Sequence, residues 1–203
     1  MEKRDHWNSV YASKSEDAVS WFQKDAQPNL DLILTYQDAA ARGVVDIGAG
    51  ASRLVDRLLD NGVGDVTLLD LSDKSFDVVR DRLIGRNVQP TFVVQDVTDW
   101  RPARTFGVWN DRAAFHFLTD RASQDAYVSA LKLATTPSSI VIMATFAEDG
   151  PERCSGLPVE RYSSEALSAR VGPSFRPLET RKIGHRTPGG VTQSFQYSVF
   201  EAV

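Results

Sequence analysis

The chain has 203 residues, 42% of them hydrophobic and 25% charged, with a formal net charge of −4. That is the size and composition of one α/β domain with a sizeable core. The signs are interspersed with no basic patch, which argues against a nucleic-acid surface.

The longest apolar run, residues 140–147, is too short to span a bilayer. The polar start at residues 1–6 does not read as a secretory signal. Cys154 stands alone, which forbids an internal disulfide and suits a reducing compartment. No Cys/His pairing looks like a zinc site. The expectation is a cytoplasmic protein without nucleic-acid, membrane or metal partners, folded as one domain over residues 1–203.

In chain order, Trp7 and Tyr11 stand at i and i+4 and share a helix face. Trp21-Phe22 follow a polar stretch at residues 13–17. Such a leading segment can dock its aromatics on the core, the expectation for Phe22. It can equally cap a pocket, as read for Trp7, Tyr11 and Trp21 within a helical cap over residues 1–40. Pro28 breaks the segment, and residues 30–41 read as one helix stopped at Gly43.

Val44-Val45-Asp46-Ile47 is a buried-strand run. It enters the small-residue turn Gly48-Ala49-Gly50-Ala51-Ser52, and residues 53–59 carry the apolar spacing of a helix. A second strand runs over residues 65–70 and ends in Asp70. A helix capped by Ser72 or Asp73 then buries Phe76, Val79 and Leu83. A third strand, residues 90–95, ends in Asp96, and a fourth, residues 106–109, runs into Asn110-Asp111-Arg112. After a helix over 124–134 comes the most apolar strand, 139–146. A short helix from Ser163 to Val171 and a hairpin around residues 187–190 close the chain. Apolar strands alternating with helices define a doubly wound, Rossmann-like, mostly parallel sheet, here ending in an antiparallel hairpin.

In such a sheet, ligands bind at the carboxyl ends of the strands. Those ends carry Gly48 and Gly50, Asp70, Asp96 and Asn110-Asp111. Only glycine lets a ligand come close to the backbone of a strand–helix turn. Asp70, about 20 residues beyond the turn, stands where a carboxylate accepts both ribose hydroxyls. Asp96 with Val97 is placed to read an adenine amine. Arg53 replaces the third glycine of the dinucleotide fingerprint, and no phosphate-cradling Gly-x-x-x-x-Gly-Lys is present. A ribose acid and an adenine acid without a pyrophosphate site describe S-adenosylmethionine.

Asp46-Ile47-Gly48-Ala49-Gly50 resembles the first motif of class I S-adenosylmethionine-dependent methyltransferases. Leu68-Leu69-Asp70-Leu71-Ser72 is similar to their second-strand acid, and residues 94–99 to their adenine motif. Residues 50–54 and the leading Trp7, Tyr11 and Trp21 resemble lysine methyltransferases of elongation factors. Asp111-Arg112-Ala113 resembles a motif of those enzymes and of thiopurine methyltransferases, with alanine where glycine is usual. The resemblance implies a seven-stranded sheet and S-adenosylmethionine as cofactor, with S-adenosylhomocysteine as product. It places Trp7, Tyr11, Trp21, Asp46, Gly48, Ala49, Gly50, Asp70, Leu71, Asp96, Val97, Asn110 and Asp111 around that cofactor.

The implied reaction is an in-line displacement that depends on orientation in a dry pocket. Asp111 and His116 are the candidate proton acceptors, and Asp111 is also a candidate partner for the cofactor's ammonium. His116, Arg153 and Cys154 are the candidate acceptor contacts, the last two on a lid-like segment at 148–158. His185-Arg186 could close the same pocket. No Asn/Asp-Pro-Pro-aromatic motif follows the fourth strand, which disfavours a nucleobase amine. The expected acceptor is a small-molecule nucleophile. A protein lysine is the alternative, and a non-catalytic cofactor-binding module the third reading. The expected state is a monomer or weak homodimer.

Overall fold

The computed structural model describes residues 3–203; Met1 and Glu2, the beginning of the polar start, lie outside the described residues. A leading helix α1 (Lys3–Ser13) and a single 3-10 turn (Glu16–Ala18) precede the pair α2 (Asn29–Thr35) and α3 (Gln37–Ala40). The single helix expected over 30–41 is therefore two. It breaks at Tyr36, whose φ of −108° and ψ of 50° leave the helical region.

Then follow β1 (Val44–Ile47), α4 (Leu54–Asp60), β2 (Val66–Asp70), α5 (Asp73–Arg82), β3 (Thr91–Val94) and β4 (Val108–Arg112). After a 3-10 turn at Phe115–Phe117 come α6 (Arg121–Ala134), β5 (Ile140–Phe146), β6 (Arg153–Cys154), β7 (Leu157–Pro158), α7 (Ser164–Val171), β8 (Phe175–Arg186) and β9 (Thr192–Ala202).

Seven strands form one sheet in the order β3-β2-β1-β4-β5-β9-β8. The first five are mutually parallel, and β9 and β8 run antiparallel to their neighbours. This is the doubly wound arrangement with a terminal hairpin that the alternation of strands and helices implied. The strand order reverses between β1 and β4, and a crevice opens there above the strand ends.

Two apolar layers flank the sheet. One packs α2, α4 and α5 through Ile33, Leu58 and Phe76 on the face carrying Val108 and Ile142. The other packs α6 and α7 through Tyr127, Leu131 and Leu167 on the face carrying Trp109 and Met143.

β4 is the strand that departs from expectation. It reaches Arg112, because β1 and β5 pair with it on both sides as far as Asp111 and Arg112 respectively. Two polar residues thereby enter the sheet interior. They survive there because each finds partners: Asn110 donates to Asp46 Oδ1 at 2.7 Å and receives a bond from Asn29 at 2.7 Å. Side chains alternate along the strand, so Asn110 and Arg112 share one face while Trp109 and Asp111 share the other.

Candidate active site

The turn after β1 is built for close approach. Gly48 has φ +62°, and a Cβ there would stand 2.6 Å from the Cβ of Ala114. Gly50 has φ +55°, and a Cβ there would collide with the Tyr11 hydroxyl. Glycine is required at both places for backbone conformation and for space. The Gly50 amide donates to Asp70 Oδ2 at 2.8 Å, and the Ser72 amide to Asp70 Oδ1 at 2.8 Å. The ends of β1 and β2 are thus locked together before any ligand arrives. Burial pushes the Asp70 carboxyl up to about 6 against the pull of those amides.

A cleft of about 320 Å³ opens above these strand ends. Asp96, Val97, Leu71 and Asp70 line one end of it, and Arg112, Ala113, Cys154 and Leu157 the other, with Gly48 between them. Trp7, Tyr11 and Trp21 form its roof, with Trp7 edge-on to Trp21 at 5.7 Å and to Phe117 at 5.1 Å. α1 buries no residue fully. Its aromatics face the cleft rather than the core. Phe22 also stays out of the core: it is half-buried, with the Arg53 guanidinium 5.4 Å from its ring centre.

What holds this roof down was not apparent from the sequence. Glu16 bonds both Arg53 and Arg82, the latter at 2.5 Å. Arg82 also donates to the Ala51 and Ser52 carbonyls at 3.0 and 2.7 Å and pairs with Asp56 at 2.8 Å. The position that holds the third glycine in dinucleotide folds is here the anchor of the cap. Asn8 adds a second tether by accepting from the Ser72 hydroxyl at 2.7 Å.

A smaller cavity of about 50 Å³ lies on the other side of Gly48 and Trp21. Asp46, Ala49, Asn110 and Arg112 are among its walls. Burial raises Asp46 to about 7, only partly opposed by the Asn110 amide. Asn110 reaches this cavity but not the main cleft.

Three sequence-derived assignments do not survive the geometry. Asp111 is fully buried on the far face of β4. It accepts the Tyr127 hydroxyl at 2.6 Å and the amides of Ala114 and Phe115 at 2.9 and 3.0 Å. It lines neither cavity, so it is a brace for the loop after β4, not a proton acceptor or an ammonium partner.

His116 is fully buried against Phe117 and Phe146. Its Nδ1 accepts the Phe146 amide at 3.3 Å, and burial lowers it to about 3. A histidine this desolvated stays neutral and lies outside the cleft wall. Arg153 is exposed and donates to the Gly156 carbonyl at 2.5 Å, because alternation in the β6–β7 hairpin turns it outward while Cys154 turns inward. Cys154 does line the cleft, and burial lifts its thiol to about 11. His185 bonds the Ser20 carbonyl at 2.8 Å and borders a separate open groove.

Among the described residues no group of three His, Cys, Asp or Glu is placed to hold a metal, and no helix is long and apolar enough to cross a membrane.

The strand order, the Gly-x-Gly turn and the acids at successive strand ends define a Rossmann-like methyltransferase fold. Solved structures share it. One comes from work on the conversion of a disulfide bond into a thioacetal group during echinomycin biosynthesis (TM-score 0.78, 20% identity, 98% of this chain and 92% of that one). Another is an S-adenosylmethionine-dependent methyltransferase from Anabaena variabilis (0.76, 12%, 100% and 96%). A third is the 1,6-didemethyltoxoflavin-N1-methyltransferase of Burkholderia thailandensis, with 1,6-didemethyltoxoflavin and S-adenosylhomocysteine bound (0.73, 18%, 98% and 88%). No curated protein matches the sequence significantly. Residues 44–137 match the family described as "Methyltransferase domain". That match covers just under half of the chain, and the fold the chain shares with these structures is that of S-adenosylmethionine-dependent methyltransferases.

Proposed function

We propose that the protein, as a single domain, transfers a methyl group by in-line displacement to a small-molecule nucleophile. The observation that carries this reading is the enclosure of the cleft. Trp7 and Trp21 cover it from the N-terminal side, and Leu157 and Pro158 of the β6–β7 hairpin cover it from the other. Its volume of about 320 Å³ lies at the small end of ordinary ligand sites. An extended peptide would need an open groove, which this arrangement does not offer. Two of the similar structures come from small-molecule chemistry by their own descriptions, which supports the same reading.

The residues present suit the cofactor. The Gly48–Gly50 turn brings backbone close to the cleft, and the Asp70 carboxylate is held by two amides with lone pairs left for ribose hydroxyls. In this reading Asp70 holds the ribose, Leu71, Asp96 and Val97 hold the adenine, and Asp46, Ala49 and Asn110 form the amino-acid end. S-adenosylmethionine supplies an electrophilic methyl on a sulfonium. The electron-rich faces of Trp7, Tyr11 and Trp21 favour a cation there and keep water out. The chain's part in the chemistry is alignment, not proton transfer.

The experiment is incubation of fractionated lysate with methyl-labelled cofactor. Label in the small-molecule fraction is expected. Label in protein would replace this reading with lysine methylation, and no transfer despite cofactor binding would leave a binding module.

A further inference from the structure

Arg112 stands at the end of β4 on the same face as Asn110, and it borders both cavities. Its Nη1 donates to the Trp21 carbonyl at 2.9 Å, and its guanidinium sits 5.1 Å from the ring centre of Phe195. Its Nε and Nη2 are buried and have no hydrogen-bond partner among the described residues. A desolvated guanidinium with two idle donors and no bonded carboxylate is costly, and a ligand anion is the ordinary remedy. The strand order fixes which part of the cleft it serves. The acids Asp96 and Asp70 stand at the ends of β3 and β2, whereas Arg112 and Cys154 lie beyond Gly48, over β4 and β5. Lys3, the other cation at the cleft, stands near Asp120 on α1's side.

Two further observations narrow the chemistry. A sulfonium and a guanidinium sharing a low-dielectric cleft repel each other unless an anion lies between them. And among the described residues that line this end of the main cleft none is a ready proton acceptor. Asp111 and His116 are sealed off, Asp46 opens to the smaller cavity and is bonded to Asn110, and the Cys154 thiol stays protonated.

We propose that Arg112 binds the methyl acceptor, and that the acceptor is an anionic nucleophile such as an acidic thiolate, phenolate or carboxylate. This rests on the methyltransferase reading above. The nucleophile arrives deprotonated and its electron pair forms the bond to the methyl carbon. The carbon–sulfur bond breaks with its pair going to sulfur, and a neutral thioether and a neutral methylated product remain. No proton moves, so no base is needed. Arg112 holds the acceptor in the cleft as its anion, which offsets the repulsion between guanidinium and sulfonium, at the expense of some nucleophilicity. The product no longer carries the charge that held it, which favours release.

The test loads the protein with S-adenosylhomocysteine and titrates two probes by calorimetry. The first is 4-nitrothiophenolate, an anion at neutral pH; the second is its uncharged methylated form, 4-nitrothioanisole. The wild type should bind the anion at least about tenfold more tightly. Arg112→Met should erase that preference while its S-adenosylhomocysteine affinity stays within about twofold, which also shows that the variant folds. Arg112→Lys should keep part of the preference.

Equal binding of the two probes by the wild type, or binding of neither, overturns the proposal. So does an Arg112→Met protein that loses S-adenosylhomocysteine affinity but binds 5′-deoxy-5′-methylthioadenosine normally, since the guanidinium would then belong to the cofactor's carboxylate. A wild type that does not bind S-adenosylhomocysteine at all overturns the methyltransferase reading as well.

Discussion

The two ends of the cleft are built on different principles. At the β1–β2–β3 end both acids are pre-bonded: Gly50 and Ser72 hold Asp70, and the Thr98 amide and hydroxyl hold Asp96 at 2.9 and 2.7 Å. At the β4–β5 end the carboxylate that looked functional, Asp111, is consumed by Tyr127 and two amides, and among the described residues the under-bonded cation lining the cleft is Arg112. The first end is a rigid receptor for a ligand of fixed shape. The second is an apolar surface with one charge, which suits selection by charge more than by shape. The lesson is that a strand-end acid is a ligand contact only when its alternation faces the crevice.

The sharpest way to break this contrast is Asp70→Ala. It removes the expected ribose acceptor and leaves two amides without their partner, each charged hydrogen bond being worth about 1.5–3 kcal/mol. S-adenosylhomocysteine affinity should fall about 100-fold or more in calorimetry while circular dichroism stays native. Unchanged affinity would remove the basis for the ribose assignment.

Tyr127→Phe addresses the other end. It strips the Asp111 carboxylate and the Trp109 indole N–H of a buried partner. It should cost about 1–3 kcal/mol of stability, read as a lower melting temperature, with cofactor affinity unaltered. A selective loss of methyl transfer in the folded variant would restore Asp111 to the chemistry.

Protonation offers a third comparison. Burial raises Asp46 to about 7 and Asp70 and Asp111 to about 6, all above their unfolded value of 3.8. The native state therefore binds more protons than the unfolded one in between. Stability from these groups is present below pH 4 and is lost as pH rises through 6 to 7. A ligand that bonds the ionised Asp70 works against that preference. S-adenosylhomocysteine affinity should weaken by up to about tenfold per pH unit below pH 6, with proton release that scales with buffer ionisation heat. Asp70→Asn should remove its share.

The smallest expected effect is at the cap. Glu16→Gln weakens two ion pairs at a partly buried site, about 1 kcal/mol in total, and should speed S-adenosylhomocysteine release about fivefold in stopped flow. No change in the release rate would mean that the aromatics and the Asn8–Ser72 bond hold α1 down without Glu16.

The cofactor end was legible in the sequence because its signals are local. A strand, a tight turn and a helix place Gly48 and Gly50, and the next two strand ends place Asp70 and Asp96, with no long-range information beyond parallel pairing. The same holds for the strand–helix alternation that specified the sheet. The acceptor end was not legible in the same way. Ending β4 at Trp109 left Asn110, Asp111 and Arg112 as loop residues free to face a ligand. Pairing with β1 and β5 carries the strand on and assigns each of them a face. The alternation itself was a usable signal: with Trp109 pointing into the α6 layer, Asp111 follows it and Arg112 joins Asn110 on the crevice side. Glu16 carried no signal at all, because its partners Arg53 and Arg82 are far along the chain.

By itself, then, the sequence determined the sheet, the Gly-x-Gly turn after β1 and the acids Asp70 and Asp96 at the ends of β2 and β3, since each depends on spacing within one strand–turn–helix unit. Only the tertiary structure decided that Asp111 and His116 are sealed into the core, that Arg153 turns outward, and that Arg112 faces the cleft. Those outcomes depend on how far neighbouring strands extend a ladder and on which buried partner satisfies each polar group. Both are settled by residues distant in sequence, through the cost of burying a polar atom alone.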